Sequence, residues 1–329
     1  MDLNDIKEFL GEDWRRVEER IRLSLASDIK NLDLTNSIIL SRSGKQLRPV
    51  LSLLVARACS GGCPTEYSYR YAAAAEMLHN ATLLHDDVAD SSDERRGVPT
   101  IRSMMGPSVS VLVGDYWLVK AMGCIFGDDG DGNSRVTMIF SRTLSDLAEG
   151  EMLQLQKAES GDTDEQDYLR IIFSKTASLF EASCLSAAIS VNASPEVERA
   201  VGEYAVALGM AFQIKDDIFD YSPVSTDVGK PVGVDVTEQK MTLPLIGALL
   251  GCGEDKACEI RRKVSEIGEH PEYRDEIIGF VRENGGLEYS SARLQEYVDK
   301  AVMALDILPD SMEKHYLSEL ASFVAKRLS

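Results

Sequence analysis

The sequence predicts an all-α protein, and three observations carry that expectation. Apolar residues recur at helical spacing over long stretches. No stretch alternates with period two. Gly and Pro punctuate the runs at intervals. At 329 residues, 44% hydrophobic and 27% charged, the chain has ordinary globular composition and can bury a large core. Residues 1–329 are expected to form a single domain.

The elements follow in order. Residues 5–28 read as one amphipathic helix, with Ile6, Phe9, Leu10, Val17, Ile21 and Leu25 as its apolar side. A short helix is expected at 35–42. Gly44 and Pro49 then frame a loop leading into an apolar helix from Val50, and first-turn amides need no partner, so Pro49 is tolerated there. Lys45 and Arg48 sit at that helix start, as an anion site or as solvated basic residues. A helix over 66–90 follows the break at Gly61-Gly62-Cys63-Pro64, then a loop over 91–100 that carries Arg95 and Arg96, and an apolar helix over 107–126. Gly127 to Gly132 lacks the terminal Glu of a calcium loop and reads as a solvated turn. Helices are expected at 133–158 and 165–190. The second places Lys175 in an apolar stripe, where it either snorkels outward or meets an anion. A helix over 195–221 precedes a loop over 222–240, expected to be a flap supplying Lys230 and Lys240. Four or five amphipathic helices fill 243–329.

Two acidic stretches organise this plan. His85-Asp86-Asp87-Val88-Ala89-Asp90 and Lys215-Asp216-Asp217-Ile218-Phe219-Asp220 each place aspartates at i, i+1 and i+4 at the end of a helix. Residues i and i+4 share one helix face. Upstream, Val197, Val201, Tyr204, Leu208 and Phe212 form a buried stripe that continues to Asp216 and Asp220. His79, Thr82, Leu83, Asp86 and Asp90 likewise share a face. Inward-facing carboxylates are costly without a partner, and a hard-oxygen set with no thiol or paired imidazole suits Mg²⁺. Arginine forks behind such acids suit a diphosphate. A helix C-terminus, the negative end of the dipole, also favours cations.

Several classes are excluded. Lys and Arg number 35 against 54 Asp and Glu, a net charge of −19, which argues against a nucleic-acid partner and against electrostatic attachment to anionic lipid. No run of about 18 residues is apolar and uncharged, so no membrane span is expected. The six scattered cysteines match no zinc spacing and read as reduced thiols of a cytoplasmic protein. Nothing matches a P-loop or dinucleotide fingerprint.

The constellation resembles the trans-isoprenyl diphosphate synthase (polyprenyl synthetase) family. The marks are Gly44-Lys45-Gln46-Leu47-Arg48-Pro49, Asp86 to Asp90 with Arg95-Arg96-Gly97, Lys175-Thr176, Gln213 to Asp220, and then Lys230 and Lys240, in the family's order from about 44 to 245. Gln239 departs from the pattern, standing where glycine is common. The resemblance implies an all-α bundle around a deep central cavity, usually as a homodimer. It implies that Asp86, Asp90 and Asp216, with Asp87 and Asp220 near, hold Mg²⁺ ions bridging to an allylic diphosphate. Arg95, Lys175, Thr176, Gln213, Lys230 and Lys240 become diphosphate contacts, all but Lys240 to the allylic substrate. Lys45, Arg48, His79 and Arg96 become contacts to isopentenyl diphosphate. The catalytic set is Asp86, Asp90, Lys175, Asp216 and Lys230.

Product length should depend on residues behind the first acidic stretch. Ala81 stands five residues before Asp86, about 7.5 Å of helix rise, and Thr82 four before it; small residues there leave room for a product of roughly six to ten isoprene units. A farnesyl or geranylgeranyl diphosphate synthase is the alternative. Three rivals fit less well. A class I terpene cyclase would leave Lys45, Arg48 and Arg96 idle. A non-catalytic regulatory subunit should lack one acidic motif. A carboxylate metal-storage bundle would want Glu-x-x-His pairs, which are missing.

Overall fold

The computed structural model describes residues 3–42, 44–95, 97–127, 130–222 and 232–326. Its helices are α1 (Leu3–Leu10), α2 (Glu12–Leu25), α3 (Lys30–Ser41), α4 (Leu47–Ser60), α5 (Glu66–Ala89), α6 (Ile101–Met105), α7 (Pro107–Phe126), α8 (Ser134–Ser160), α9 (Glu165–Ile172), α10 (Ser178–Ser190), α11 (Pro195–Asp220), α12 (Val234–Thr237), α13 (Leu243–Leu250), α14 (Glu254–Ser265), α15 (Tyr273–Glu283), α16 (Gly286–Ala304) and α17 (Met312–Lys326). The protein is all-α, as the periodicity requires. Among the described residues the strands amount to one two-residue antiparallel ladder, β1 (Glu94–Arg95) with β2 (Val98–Pro99), inside the loop expected at 91–100.

Four predicted elements are corrected: the described part of the loop expected over 222–240 carries the short helix α12 (Val234–Thr237), and three expected helices differ. The helix expected over 5–28 breaks at Gly11, whose φ of 54° and ψ of −113° a residue with a Cβ would resist, and α2 ends at Leu25. The helix expected at 35–42 starts earlier, at Lys30. The helix expected over 165–190 is interrupted by a single π-helical turn, Phe173–Ala177. A pattern of apolar spacing cannot register a turn widened by one residue.

The chain folds into two compact units: Met1–Ser141 with Ala182–Val201 and Leu308–Leu317, and Arg142–Glu181 with Gly202–Ile307 and Ser318–Ser329. The first unit is built on α5 against α7. Ala72, Ala73, Ala74 and Ala75 are all fully buried, so the α5 backbone can approach its neighbours closely. Trp117 Nε1 donates to Asn36 Oδ1 at 2.8 Å, and Asn36 Nδ2 donates to Leu25 O at 2.8 Å, so the buried amide of α3 is paired on both sides. α7 is long and apolar enough, by length and composition, to cross a membrane. Yet it carries Asp115 and Lys120, and Val113, Trp117, Ala121 and Ile125 are buried inside the protein. In the turn after it, expected to be solvated, Asp131 is exposed and accepts from Arg70 Nη1 at 3.0 Å and from Tyr67 OH at 3.1 Å.

The second unit has its own core. Tyr221, Val236, Met241, Leu245, Ile260 and Ile277 are among its buried members. Gly209 lets α11 press onto the π-turn: a Cβ there would lie 2.6 Å from Ala177 Cα.

Candidate active site

In the first unit, α5 begins with a capping box, where Thr65 accepts from Ser68 N–H and Ser68 Oγ accepts from Thr65 N–H. It ends in the first acidic stretch. Asp86 is half-buried, Asp90 is exposed at the C-cap, and Asp87 is buried. Arg95 Nε donates to Asp87 Oδ1 at 2.8 Å, which neutralises the buried carboxylate. Ser92 N–H donates to Asp87 O at 2.9 Å and Thr100 Oγ1 to Ser92 O at 2.8 Å, so the short ladder is tied to the end of the helix. His85 Nε2 lies 3.2 Å from Asp115 Oδ1 on α7. Further back on α5, Thr82 Oγ1 donates to the carbonyl of half-buried His79 at 2.8 Å, and Ala81 is fully buried.

At the start of α4, Arg48 is half-buried and Lys45 exposed. Pro49 is the third helical residue, inside the first turn where its missing N–H costs nothing. Arg96 lies outside the described residues, as does Lys230.

In the second unit, α11 carries the second acidic stretch. The stripe predicted to face inward is buried at Val201, Tyr204 and Leu208, then opens: Phe212, Asp216 and Asp220 are half-buried. The buried carboxylate is Asp217, the residue after the stripe. Tyr168 OH donates to its Oδ2 at 2.7 Å and Gln213 Nε2 to its Oδ1 at 2.9 Å. Burial pushes this carboxyl up to about 6; the two hydrogen bonds oppose that, and the charges of Asp216 and Asp220 reinforce it. Gln213 Oε1 in turn accepts from Thr176 Oγ1 at 2.8 Å. The π-turn sets Thr176 and Lys175 in this register. Lys175 Nζ pairs with Glu151 Oε1 at 2.6 Å and donates to Gln154 Oε1 at 3.0 Å, so of the two expected outcomes it meets an anion, here a carboxylate of the protein itself.

Asp220 has a structural partner that the sequence did not announce. Its Oδ1 accepts from Val234 N–H and its Oδ2 from Asp235 N–H, each at 3.0 Å, so the carboxylate caps α12. Burial raises its pKa and these amide bonds hold it down. Asp235 is pushed well above the carboxylate range by burial and by the charges of Asp217 and Asp220, with Lys240 opposing. Lys240 pairs with Glu238. Gln239, where glycine is common in the resemblance, has φ of 57°. Only glycine adopts that conformation without cost, which explains the preference; here Gln239 Nε2 donates to Ser265 O at 3.1 Å.

The second unit holds a cavity of about 160 Å³ in which Lys157, Lys175, Lys240, Thr176, Gln213 and Asp217 converge. The second unit thus brings together four expected residues, Lys175, Thr176, Gln213 and Lys240. It adds Lys157, Gln154 and Tyr168, which the sequence reading missed. Lys157 pairs with Asp167 at 2.7 Å and Asp162 at 3.1 Å. Among the described residues no three His, Cys, Asp or Glu side chains converge into a ready-made metal cage.

Comparison with known proteins gives a consistent result. A family model described as polyprenyl synthetase matches residues 30–279. The octaprenyl diphosphate synthase of Escherichia coli is 36% identical over 327 residues, covering 99% of each chain. Among solved structures, a decaprenyl diphosphate synthase from Rhodobacter capsulatus superposes with a TM-score of 0.90 at 34% identity, covering 99% of each chain. A polyprenyl synthase from Caulobacter crescentus, complexed with calcium and isoprenyl diphosphate, does so with a TM-score of 0.89 at 30% identity, covering 100% of this chain and 98% of that one. With the family model spanning most of its length and relatives matched end to end, the chain belongs to the polyprenyl synthetase family.

Proposed function

We propose that this chain is a prenyltransferase that condenses isopentenyl diphosphate repeatedly, in trans, onto an allylic diphosphate such as farnesyl diphosphate, with residues 1–329 working as one catalytic domain. The observation that carries the reading is the pair of acidic helix ends, each with a buried, hydrogen-bonded central aspartate and a half-buried one before it. The product is a long-chain polyprenyl diphosphate, and diphosphate is released at each cycle. The similarity to an octaprenyl and a decaprenyl diphosphate synthase supports the length.

Mg²⁺ is the proposed metal. The donor set is carboxylate oxygen without thiol or paired imidazole, and Mg²⁺ commonly takes one or two carboxylates plus substrate phosphates, so Asp86, Asp90 and Asp216 fit, with Asp87 and Asp220 close by in sequence. The metal would supply positive charge to the leaving diphosphate. Lys175 and Lys240 provide two cations, and Thr176 and Gln213 polar groups, for the same oxygens, stabilising charge that grows as the allylic C–O bond breaks. Arg95 and Lys230 join them in this reading. Lys45, Arg48, His79 and Arg96 hold isopentenyl diphosphate, whose double bond attacks the allylic carbon. The proton lost from the adduct leaves with the departing diphosphate. No side-chain nucleophile is required.

Ala81, buried and small, is proposed to leave space for chain growth, with Thr82 beside it. Turnover with farnesyl and isopentenyl diphosphates and Mg²⁺, followed by chromatographic sizing, tests the reading. Long products support it, and a dominant farnesyl or geranylgeranyl product sinks the long-chain assignment. Ala81→Phe should shorten the product. A homodimer is also proposed: Leu112, Val119 and Phe126 on α7 are exposed large apolar groups, and light scattering would read the mass. All six cysteines are thiols, which supports a reducing, cytoplasmic setting.

A further inference from the structure

The turn that opens α4 contains an anomaly. Gln46 has φ of 53° and ψ of 45°, a left-handed conformation strained for any residue with a Cβ. It stands between Lys45 and Arg48 at the N-cap, yet its side chain makes no capping bond to the helix it starts. Instead its Oε1 accepts a 2.8 Å hydrogen bond from Lys7 Nζ, 39 residues earlier on α1. Lys7 is itself seated. Its ammonium lies 4.4 Å from the centre of the Trp14 ring, and the charges of Glu18 and buried Glu76 favour it against partial burial. Glu76 is oriented by Asn80, whose Nδ2 donates to Glu76 Oε1 at 3.2 Å. A residue in a strained conformation is thus held through its side chain by a fixed cation, in the basic turn that enters α4.

We propose that Lys7 is a positioning residue for the anion site at the start of α4: through Gln46 it fixes the backbone that carries Lys45 and Arg48 toward a diphosphate. This rests on the reading above that Lys45 and Arg48 contact isopentenyl diphosphate. Lys7 does not touch the substrate, and its effect passes through Gln46.

Steady-state kinetics with each substrate varied in turn tests this. Lys7→Met keeps the apolar stem and removes the donor. It should raise KM for isopentenyl diphosphate about fivefold, while kcat and KM for the allylic diphosphate stay within about twofold. Lys7→Arg retains a donor and should restore KM to within about twofold of the wild type. In a Gln46→Gly background, where the turn is relaxed and its side-chain handle gone, Lys7→Met should have no further effect. An unchanged KM for isopentenyl diphosphate in Lys7→Met overturns the proposal, and so does a parallel rise in both KM values. If Lys7→Met lowers the helical circular dichroism signal, Gln46→Met leaves α1 intact and must show the same selective rise; failure to do so overturns it equally. Absence of any wild-type turnover sinks the prenyltransferase reading instead, so the two failures are distinct.

Discussion

The two acidic stretches read alike in sequence and are built differently. In each, the middle aspartate is buried, but Asp87 faces a cation and Asp217 faces neutral donors. Arg95 donates to the first at 2.8 Å, whereas Tyr168 and Gln213 hold the second at 2.7 and 2.9 Å. The last aspartates differ as well: Asp90 is exposed at a helix end, while Asp220 uses both oxygens to cap α12. The lesson is that one spacing supports two solutions to the same cost, the burial of a carboxylate. One solution neutralises the charge with a cation. The other lets the carboxyl keep a proton more readily.

The comparison breaks first at the leading aspartates. Asp86→Ala and Asp216→Ala should each lower kcat by about 10³-fold, near 4 kcal/mol of barrier, if both stretches serve the leaving diphosphate. A small loss in one alone would make that stretch structural.

Stability separates the middle residues next. In thermal unfolding without metal or substrate, Asp87→Asn should cost about 2 kcal/mol, because it strips a charge-assisted bond from Arg95. Asp217→Asn should cost little at pH 7, since it loses one neutral donor's partner and sheds a buried charge. The sign with pH follows from the raised carboxyl. Asp217 binds its proton near pH 6 when folded and near 3.8 otherwise. Between those values the folded state holds more protons, so its contribution to stability is fullest below about pH 3.8, falls as pH rises through about 6, and stays low above. Stability of Asp217→Asn relative to wild type should therefore improve by on the order of 2 kcal/mol from pH 4.5 to 7. A flat difference would show that the carboxyl is not perturbed.

Smaller effects sharpen the contrast at the last residues. Asp220→Ala should lose about 1 kcal/mol in denaturant unfolding as the cap of α12 goes, while Asp90→Ala should change stability by less than about 0.5 kcal/mol. Smallest of all, Gln239→Gly should gain about 0.5 kcal/mol by relieving the left-handed backbone, offset by the lost bond to Ser265.

Much of this was legible beforehand. The long helices came from apolar spacing, and Gly and Pro marked their ends. Lys175, Thr176 and Gln213 are expected together and line one cavity. What escaped were the features that depend on a partner distant in sequence. Tyr168 carries no sign that it bonds Asp217, and Lys157 none that it turns into the cavity. The π-turn adds one residue to a helical turn without altering the pattern on either side of it.

By itself the sequence determined the all-α class, the helix ends that bear the acids, and the family, because periodicity and fixed spacings act over a few residues at a time. Tertiary structure alone decided which aspartate in each stretch is buried, what neutralises or shares its proton, and that Lys7 on the first helix grips the turn before α4. Burial and pairing are set by side chains brought together from far along the chain, and local spacing holds no record of them.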